Sequence, residues 1–196
     1  YLVSLGCAKN LVDGEYMSSH LKQEGFHMTR NPDEAHVAIV NTCGFIDAAK
    51  AESIDKILEM AELKNTANLE LLIASGCMSE RYTEEMQVSL PEVDVLLGVR
   101  NYKDIAQAIY NYYDEETIAN EEEQFLSRIY KSRNREDVFG HVRGEHVPST
   151  RHYAYLKIAE GCSNHCSFCA IPGIRGPFQS RPLEDILQEA RDLTEQ

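Results

Sequence analysis

Apolar and polar positions follow two rhythms over the first hundred residues. Short apolar runs at Leu2–Leu5, Val37–Asn41, Leu71–Ala74 and Val93–Leu97 read as buried strands. Between them, apolar residues return at three- and four-residue steps, the helical repeat. A helical stretch is predicted near Leu11–Gln23, and His27–Arg30 reads as a short strand. Asp47 is the predicted N-cap of a helix in which Ile54, Ile57, Leu58 and Ala61 form one apolar face. Ser79 is predicted to cap a helix running to about Leu90, where Pro91 stops it. Tyr102, Ile105, Ala106 and Ile109 outline a further helical face.

Repeated β-α units with apolar strands predict an α/β fold. The expected form is a doubly wound parallel sheet of about five strands with helices on both faces. This first domain is expected over residues 1–115. Residues 114–150 break the rhythm with acidic runs at Asp114–Glu116 and Glu121–Glu123, and 116–150 reads as a linker. Within it, Gln124–Tyr130 and Asp137–Val142 are expected to form a hairpin. A second unit is expected over 151–196: a strand at Tyr153–Ala159, a cysteine-rich loop, then a helix entered at Pro182. Leu183, Ile186, Leu187 and Ala190 give that helix one apolar face.

At 196 residues, 43% hydrophobic and 26% charged, the composition is that of a folded globular chain. No apolar run approaches the ~20 residues that span a bilayer, and no signal segment opens the chain. A cytoplasmic protein with no membrane partner is therefore expected. The chain starts at Tyr1-Leu-Val-Ser4 without an initiator Met, so it is expected to be cut from something longer. Residues 1–140 hold 13 Lys and Arg against 25 Asp and Glu, whereas residues 141–196 hold 6 against 7. The acidic first part repels a phosphate backbone and weighs against a polynucleotide partner.

The six cysteines carry the candidate chemistry. Cys162, Cys166 and Cys169 form a C-x3-C-x2-C loop, whose thiolates can hold three irons of a [4Fe–4S] cluster and leave the fourth open. A zinc site completed by His165 or His152 is the other metal reading, although no second C-x2-C is present. Structural disulfides would need an oxidising compartment. Cys7, Cys43 and Cys77 each directly follow a predicted strand. In a parallel sheet those ends share one edge, so the three can converge despite separations of 36 and 34 residues. Gly6, Gly44 and Gly76 beside them permit close backbone approach to a second three-cysteine cluster. Three unrelated core cysteines are the plainer alternative.

The C-x3-C-x2-C loop, with Phe168 before its last cysteine, resembles the signature of radical S-adenosylmethionine (SAM) enzymes. Joined to three strand-end cysteines in a preceding α/β domain, it resembles the MiaB/RimO family of methylthiotransferases. Three local words are similar to the RimO branch rather than the MiaB branch. They are Ser4-Leu-Gly-Cys-Ala-Lys-Asn-Leu-Val-Asp13, Asn41-Thr-Cys-Gly-Phe-Ile46, and Ile171-Pro-Gly-Ile-Arg-Gly176 leading to Ser180-Arg-Pro182. Gly14 departs from the family pattern, which has a serine before the Glu; no chemistry is seen to rest on it.

The resemblance implies two [4Fe–4S] clusters and SAM as cofactors. The cluster on Cys162, Cys166 and Cys169 would chelate SAM and, once reduced by an electron donor, cleave it to a 5′-deoxyadenosyl radical. The cluster on Cys7, Cys43 and Cys77 would hold the sulfur that is methylated and transferred. The RimO branch implies the β-carbon of an aspartate in a small-subunit ribosomal protein as target. The MiaB branch implies a transfer-RNA adenosine, which the acidic first part disfavours. A non-catalytic iron–sulfur or zinc module is the rival from another class.

Cofactor contacts are assigned to Phe168 and Arg175. Arg175 and Arg181 are also readable as facing the neighbouring domain, or as surface or helix-start arginines. Lys9 and Asn10 are placed near Cys7, with Asn10 equally readable as a helix cap, and Glu160 and Gly161 are expected to shape the loop before Cys162. Only 27 residues follow Cys169, against ~250 for a full TIM-type barrel. Residues 151–196 are thus expected to be the first β-α unit of a truncated radical-SAM barrel, inactive alone.

Overall fold

The computed structural model describes residues 1–114, 128–131, 146–150 and 152–195. A parallel sheet runs in the order β1 (Leu2–Ser4), β2 (Val37–Thr42), β3 (Leu71–Gly76), β4 (Val95–Gly98), β5 (Ile129–Tyr130). Register aligns Leu2, Ile39, Ile73 and Val95 across it, and Val3, Val40, Ala74 and Leu96 one step along. Successive side chains of a strand point to opposite faces, so these two rows feed two cores.

On one face Ile39, Ile73 and Leu97 pack with Met17 and Leu21 of α1 (Ala8–Gln23) and Ile105 and Ile109 of α5 (Ile105–Asp114). On the other, Val40, Leu72 and Leu96 pack with three helices: α2 (Asp47–Thr66), α3 (Cys77–Arg81) and α4 (Thr83–Ser89). Ile57 and Met60, Met78, and Met86 are their respective contributions. This is the doubly wound α/β architecture that the apolar runs predict. Among the described residues no helix is long and apolar enough to cross a membrane.

Several boundaries differ from the expectation. Helix α1 begins at Ala8, and residues 27–30 form no strand. Ile46 is the N-cap of α2 and Asp47 its first residue. The buried stripe of α2 is Ser53, Ile57, Met60 and Ala61, which leaves Ile54 and Leu58 37% and 41% exposed. The helix is rotated because Ser53 Oγ accepts from Cys43 N–H at 3.0 Å and donates to Cys43 O at 3.1 Å. The helix expected from Ser79 to Leu90 breaks at Tyr82 into α3 and α4.

The fifth strand lies at Ile129–Tyr130, beyond residue 115, and pairs parallel with β4. Residues 124–127 and 137–142 of the expected hairpin lie outside the described residues.

In the second segment only Ala159–Glu160 (β6) of the expected strand is extended, antiparallel to Gln179–Ser180 (β7). Between them lie the cysteine loop and α6 (Ile171–Arg175), and α7 (Leu183–Glu195) follows. Pro182 sits just ahead of α7 rather than inside it. Leu183 and Leu187 of the expected apolar face are exposed, while Glu189 is the buried residue of α7.

Candidate functional site

Three chain turns at the C-terminal edge of the sheet carry Cys7, Cys43 and Cys77. Cys7 is the N-cap of α1, Cys43 follows the last residue of β2, and Cys77 opens α3 directly after β3. The chain leaves β1 toward one face of the sheet and β2 toward the other. Neighbouring strands whose connections diverge in this way open a crevice at their carboxyl ends, where α/β sheets bind ligands.

The turns lie against one another because glycine leaves room. Gly6 adopts φ +87°, and a Cβ there would stand 2.6 Å from Cys43 Cβ and 2.7 Å from its Sγ. A Cβ on Gly44 would stand 2.8 Å from Met78 Cα, next to Cys77. Cys7 is exposed, Cys43 and Cys77 are buried, and all six cysteines are free. Burial pushes the Cys77 thiol up to about 11 despite the pull of Arg175, and Cys43 adds to the rise.

Asn10 stitches the three turns together and is not a helix cap. Its Nδ2 donates to Leu5 O at 3.0 Å and Thr42 O at 2.7 Å, and its Oδ1 accepts from the Cys77 thiol at 3.5 Å. The side chain is fully buried, so each bond replaces water that the site excludes. Lys9 reaches the second segment, donating to Ala159 O at 3.0 Å and Glu160 Oε1 at 3.4 Å.

The loop of Cys162, Cys166 and Cys169 is held by its own segment. Cys162 N–H donates to Gly176 O and Cys169 N–H to Cys166 O, both at 3.0 Å. Ser163 Oγ accepts from Phe178 N–H at 3.0 Å. His165 takes the left-handed conformation at φ 47°. Cys166 is exposed, its two partners are half-buried, and Phe168 is 90% exposed. Among the described residues no three His, Cys, Asp or Glu side chains are grouped closely enough to share one metal ion.

Between the two cysteine sets lies a buried charge network that the motif reading did not find. Asp13 accepts from Lys157 Nζ, from Arg175 Nη2 at 2.9 Å and from the Tyr102 hydroxyl at 2.9 Å. Glu160 Oε2 accepts from Arg175 Nη1 at 2.9 Å and pairs with Lys157 at 3.0 Å. Burial opposes both carboxylates' charge, yet Lys157 and then Arg175 hold Asp13 below its ordinary range and Glu160 at about 2. Of the directions open to Arg175, the structure takes the neighbouring domain. Arg181 contacts the start and middle of α7, through Asp185 O at 3.3 Å and the Glu189 carboxylate.

A second buried group joins the units nearby. His146 lies between Glu189 Oε1 at 2.5 Å and Glu15 Oε2 at 2.8 Å, and Glu189 also accepts from the Tyr16 hydroxyl at 2.6 Å. The available signal was α1 itself, which carries Asn10, Asp13, Glu15 and Tyr16 on a helix buried nearly all round. Polar residues on such a helix must find partners in whatever covers it.

The class is an α/β domain with a cysteine after each of three strand ends, tied by buried ion pairs to a segment carrying a C-x3-C-x2-C loop. Residues 1–98, half of the chain, match the uncharacterized protein family UPF0004, and the chain belongs to that family. It is similar to proteins named ribosomal protein uS12 methylthiotransferase RimO in several bacteria. Identity is 47% over 193 residues with that of Acetivibrio thermocellus, covering 98% of this chain and 41% of the relative. It is 46% over 194 residues with that of Clostridium tetani, covering 99% and 41%. With Clostridioides difficile it is 43% over 194 residues, again 99% and 41%. The chain thus spans about two fifths of the length of the curated relatives it matches.

Proposed function

We propose that this chain forms the first domain and the opening of the barrel of a radical-SAM methylthiotransferase. One observation carries the reading. Three cysteines follow three neighbouring strand ends on turns that pack together at one sheet edge, and a buried ion network ties the segment of the C-x3-C-x2-C loop to that edge.

The residues fit two iron–sulfur clusters. Thiolate is the donor that iron–sulfur centres take, and each thiolate of a cluster binds its own iron, so its ligands stand wider than around one ion. Cys7, Cys43 and Cys77 would hold one [4Fe–4S] cluster and Cys162, Cys166 and Cys169 the other, each with an iron left for a non-protein ligand. When bound, the clusters supply reductive cleavage of SAM at one site and the transferred sulfur at the other.

The chain's own residues do the positioning. Gly6 and Gly44 let the turns close, Asn10 ties them, and buried Cys43 and Cys77 keep water from two of the three ligands. Phe168, beside Cys169 and open to solvent, would pack against SAM. Glu160 fixes the turn into Cys162, its Oε1 accepting from Gly161 N–H at 3.1 Å.

The substrate we propose is an aspartate of a small-subunit ribosomal protein, modified in the cytoplasm with electrons from a separate reductant. Support comes from the relatives' names and from the acidity of residues 1–140. The test uses the full-length protein after anaerobic reconstitution. About eight irons per chain are expected, falling by half in Cys7→Ala. Bound zinc, or an iron count unmoved by Cys7→Ala, rejects the cluster assignment. Mass spectrometry should find a methylthio group on the ribosomal protein; its appearance on a transfer-RNA adenosine instead rejects the substrate assignment.

A further inference from the structure

Arg175 is 3% exposed, yet it belongs to the second segment and its guanidinium lies inside the first domain. Its Nη2 donates to Asn10 Oδ1 at 2.8 Å, Asp13 Oδ2 at 2.9 Å and Cys77 Sγ at 3.5 Å. Its Nη1 donates to Glu160 Oε2 at 2.9 Å, and Glu160 in turn accepts from Gly161 N–H beside Cys162. Ile174, the preceding residue, is buried in the same core as Cys77. On the other side, Cys162 N–H bonds to Gly176 O, the carbonyl next to Arg175. Arg175 thus touches a thiol of the first cysteine set directly. It is linked to the backbone that presents the first thiol of the second, through the Glu160 carboxylate on one side and its chain neighbour Gly176 on the other.

We propose that Arg175 is a positioning residue. It fixes the two cysteine sets in register and holds Cys77 as a charge-stabilised ligand of the first cluster. The proposal rests on the cluster reading above.

The chemistry favours arginine over lysine at this place. A guanidinium spreads its donors in a rigid fork and can serve a thiol and two carboxylates at once; an ammonium is a point charge on a flexible stem. A donor N–H and a cation beside a cluster thiolate favour the more negative, reduced state and so raise the reduction potential. The surroundings make that contribution large. Asp13 and Glu160 are buried anions, and with Arg175 removed Lys157 is the buried cation left between them. Glu160 keeps Lys157 and Lys9 as partners, but it loses the guanidinium that links it to Asn10, Asp13 and Cys77, and Cys77 loses its cation. Register matters because a group generated at one site must meet sulfur held at another, and small misplacements of reacting atoms cost orders of magnitude in rate.

The test uses the full-length protein with Cys162, Cys166 and Cys169 replaced by alanine, so that only the first cluster is present. Redox titration followed by electron paramagnetic resonance compares Arg175→Met and Arg175→Lys in that background. Arg175→Met should make reduction at least tenfold less favourable, about 59 mV for one electron, and Arg175→Lys should recover part of the shift. An Arg175→Met protein that loses its iron while Arg175→Lys keeps it supports the assignment equally. A potential unchanged in both variants overturns it, with the cluster reading intact. Absence of iron from the parent overturns both.

Hydrogen exchange on the iron-free full-length protein with all six cysteines reads register without a cluster. The Cys162 amide should exchange at least tenfold faster in Arg175→Met, and unchanged protection removes the register role.

Discussion

Asp13 is fully buried on α1 and holds its charge only because cations from another segment reach it. Burial alone would favour the neutral acid; Lys157 and Arg175 outweigh it. Breaking such a buried set leaves a charge without compensation. Lys157→Met should therefore destabilise the fold by about 3–5 kcal/mol, read from urea unfolding at neutral pH. A loss within error of zero would show that water reaches Asp13. His146 gives a pH signature of opposite sign to the carboxylates. Burial disfavours its charge, but hydrogen bonds to Glu15 and Glu189 raise it from 6.5 to about 9. Its folded value lies above its unfolded one, so its contribution is complete below about pH 6.5 and is lost as pH rises through about 9. That contribution is of the order of 3 kcal/mol. His146→Gln should flatten the fall in stability between those limits, measured by denaturant midpoints across the pH range. Glu160 acts at the acid end: its value, depressed from 4.5 to about 2, gives stability that is complete above about pH 4.5 and lost as pH falls toward about 2, and Asp13, also held low, acts with the same sign. None of these partners is legible in the sequence. Asp13 and Lys157 look like ordinary surface charges until two segments close over them, and Arg175 and Glu160, which stand out beside the cysteine loop, do not reveal their partners.

At the scale of elements, the sheet edge was readable and the helix faces were only partly so. Apolar runs ending in cysteine mark strand ends, because a strand buried on both faces must be continuously apolar and a parallel sheet brings such ends together. The rotation of α2 was not readable. Ser53 replaces Ile54 on the buried stripe because it satisfies the Cys43 peptide, and hydropathy assigns a serine to solvent. Glu189 on α7 misleads in the same way, since its place is set by Tyr16, His146 and Arg181. The first triad's dependence on close turns can be checked at Gly6. Gly6→Ala would put an L-residue at φ +87° and a methyl group against Cys43 Sγ. The reconstituted full-length variant should lose about half its iron, the share of one of two equal clusters. A full complement of iron in that variant would mean the first turn shifts freely and is not a fixed wall of the site.

Across the whole molecule, residues on either side of position 115 combine. The fifth strand comes from residues 129–130, and the second segment inserts Arg175, Lys157 and Ile174 against the first domain. Yet the two cysteine sets are held by different bonds. Turns of the sheet edge hold the first set, tied by Asn10 and Ser53. The second is held within its own segment, through Cys162 to Gly176, Cys169 to Cys166 and Phe178 to Ser163. A lesion confined to the first set should therefore spare the second. In the full-length protein, Cys43→Ala should abolish methylthio transfer to the ribosomal protein while reductive release of 5′-deoxyadenosine from SAM continues. Chromatography of the nucleoside and mass spectrometry of the protein read the two outcomes in one reaction. Cys43→Ala removes a small side chain from a turn still tied by Asn10 and Thr42, so a folded variant is expected. If both products vanish while the second cluster still holds iron, the two sets act as one unit and the proposed division of labour between them fails.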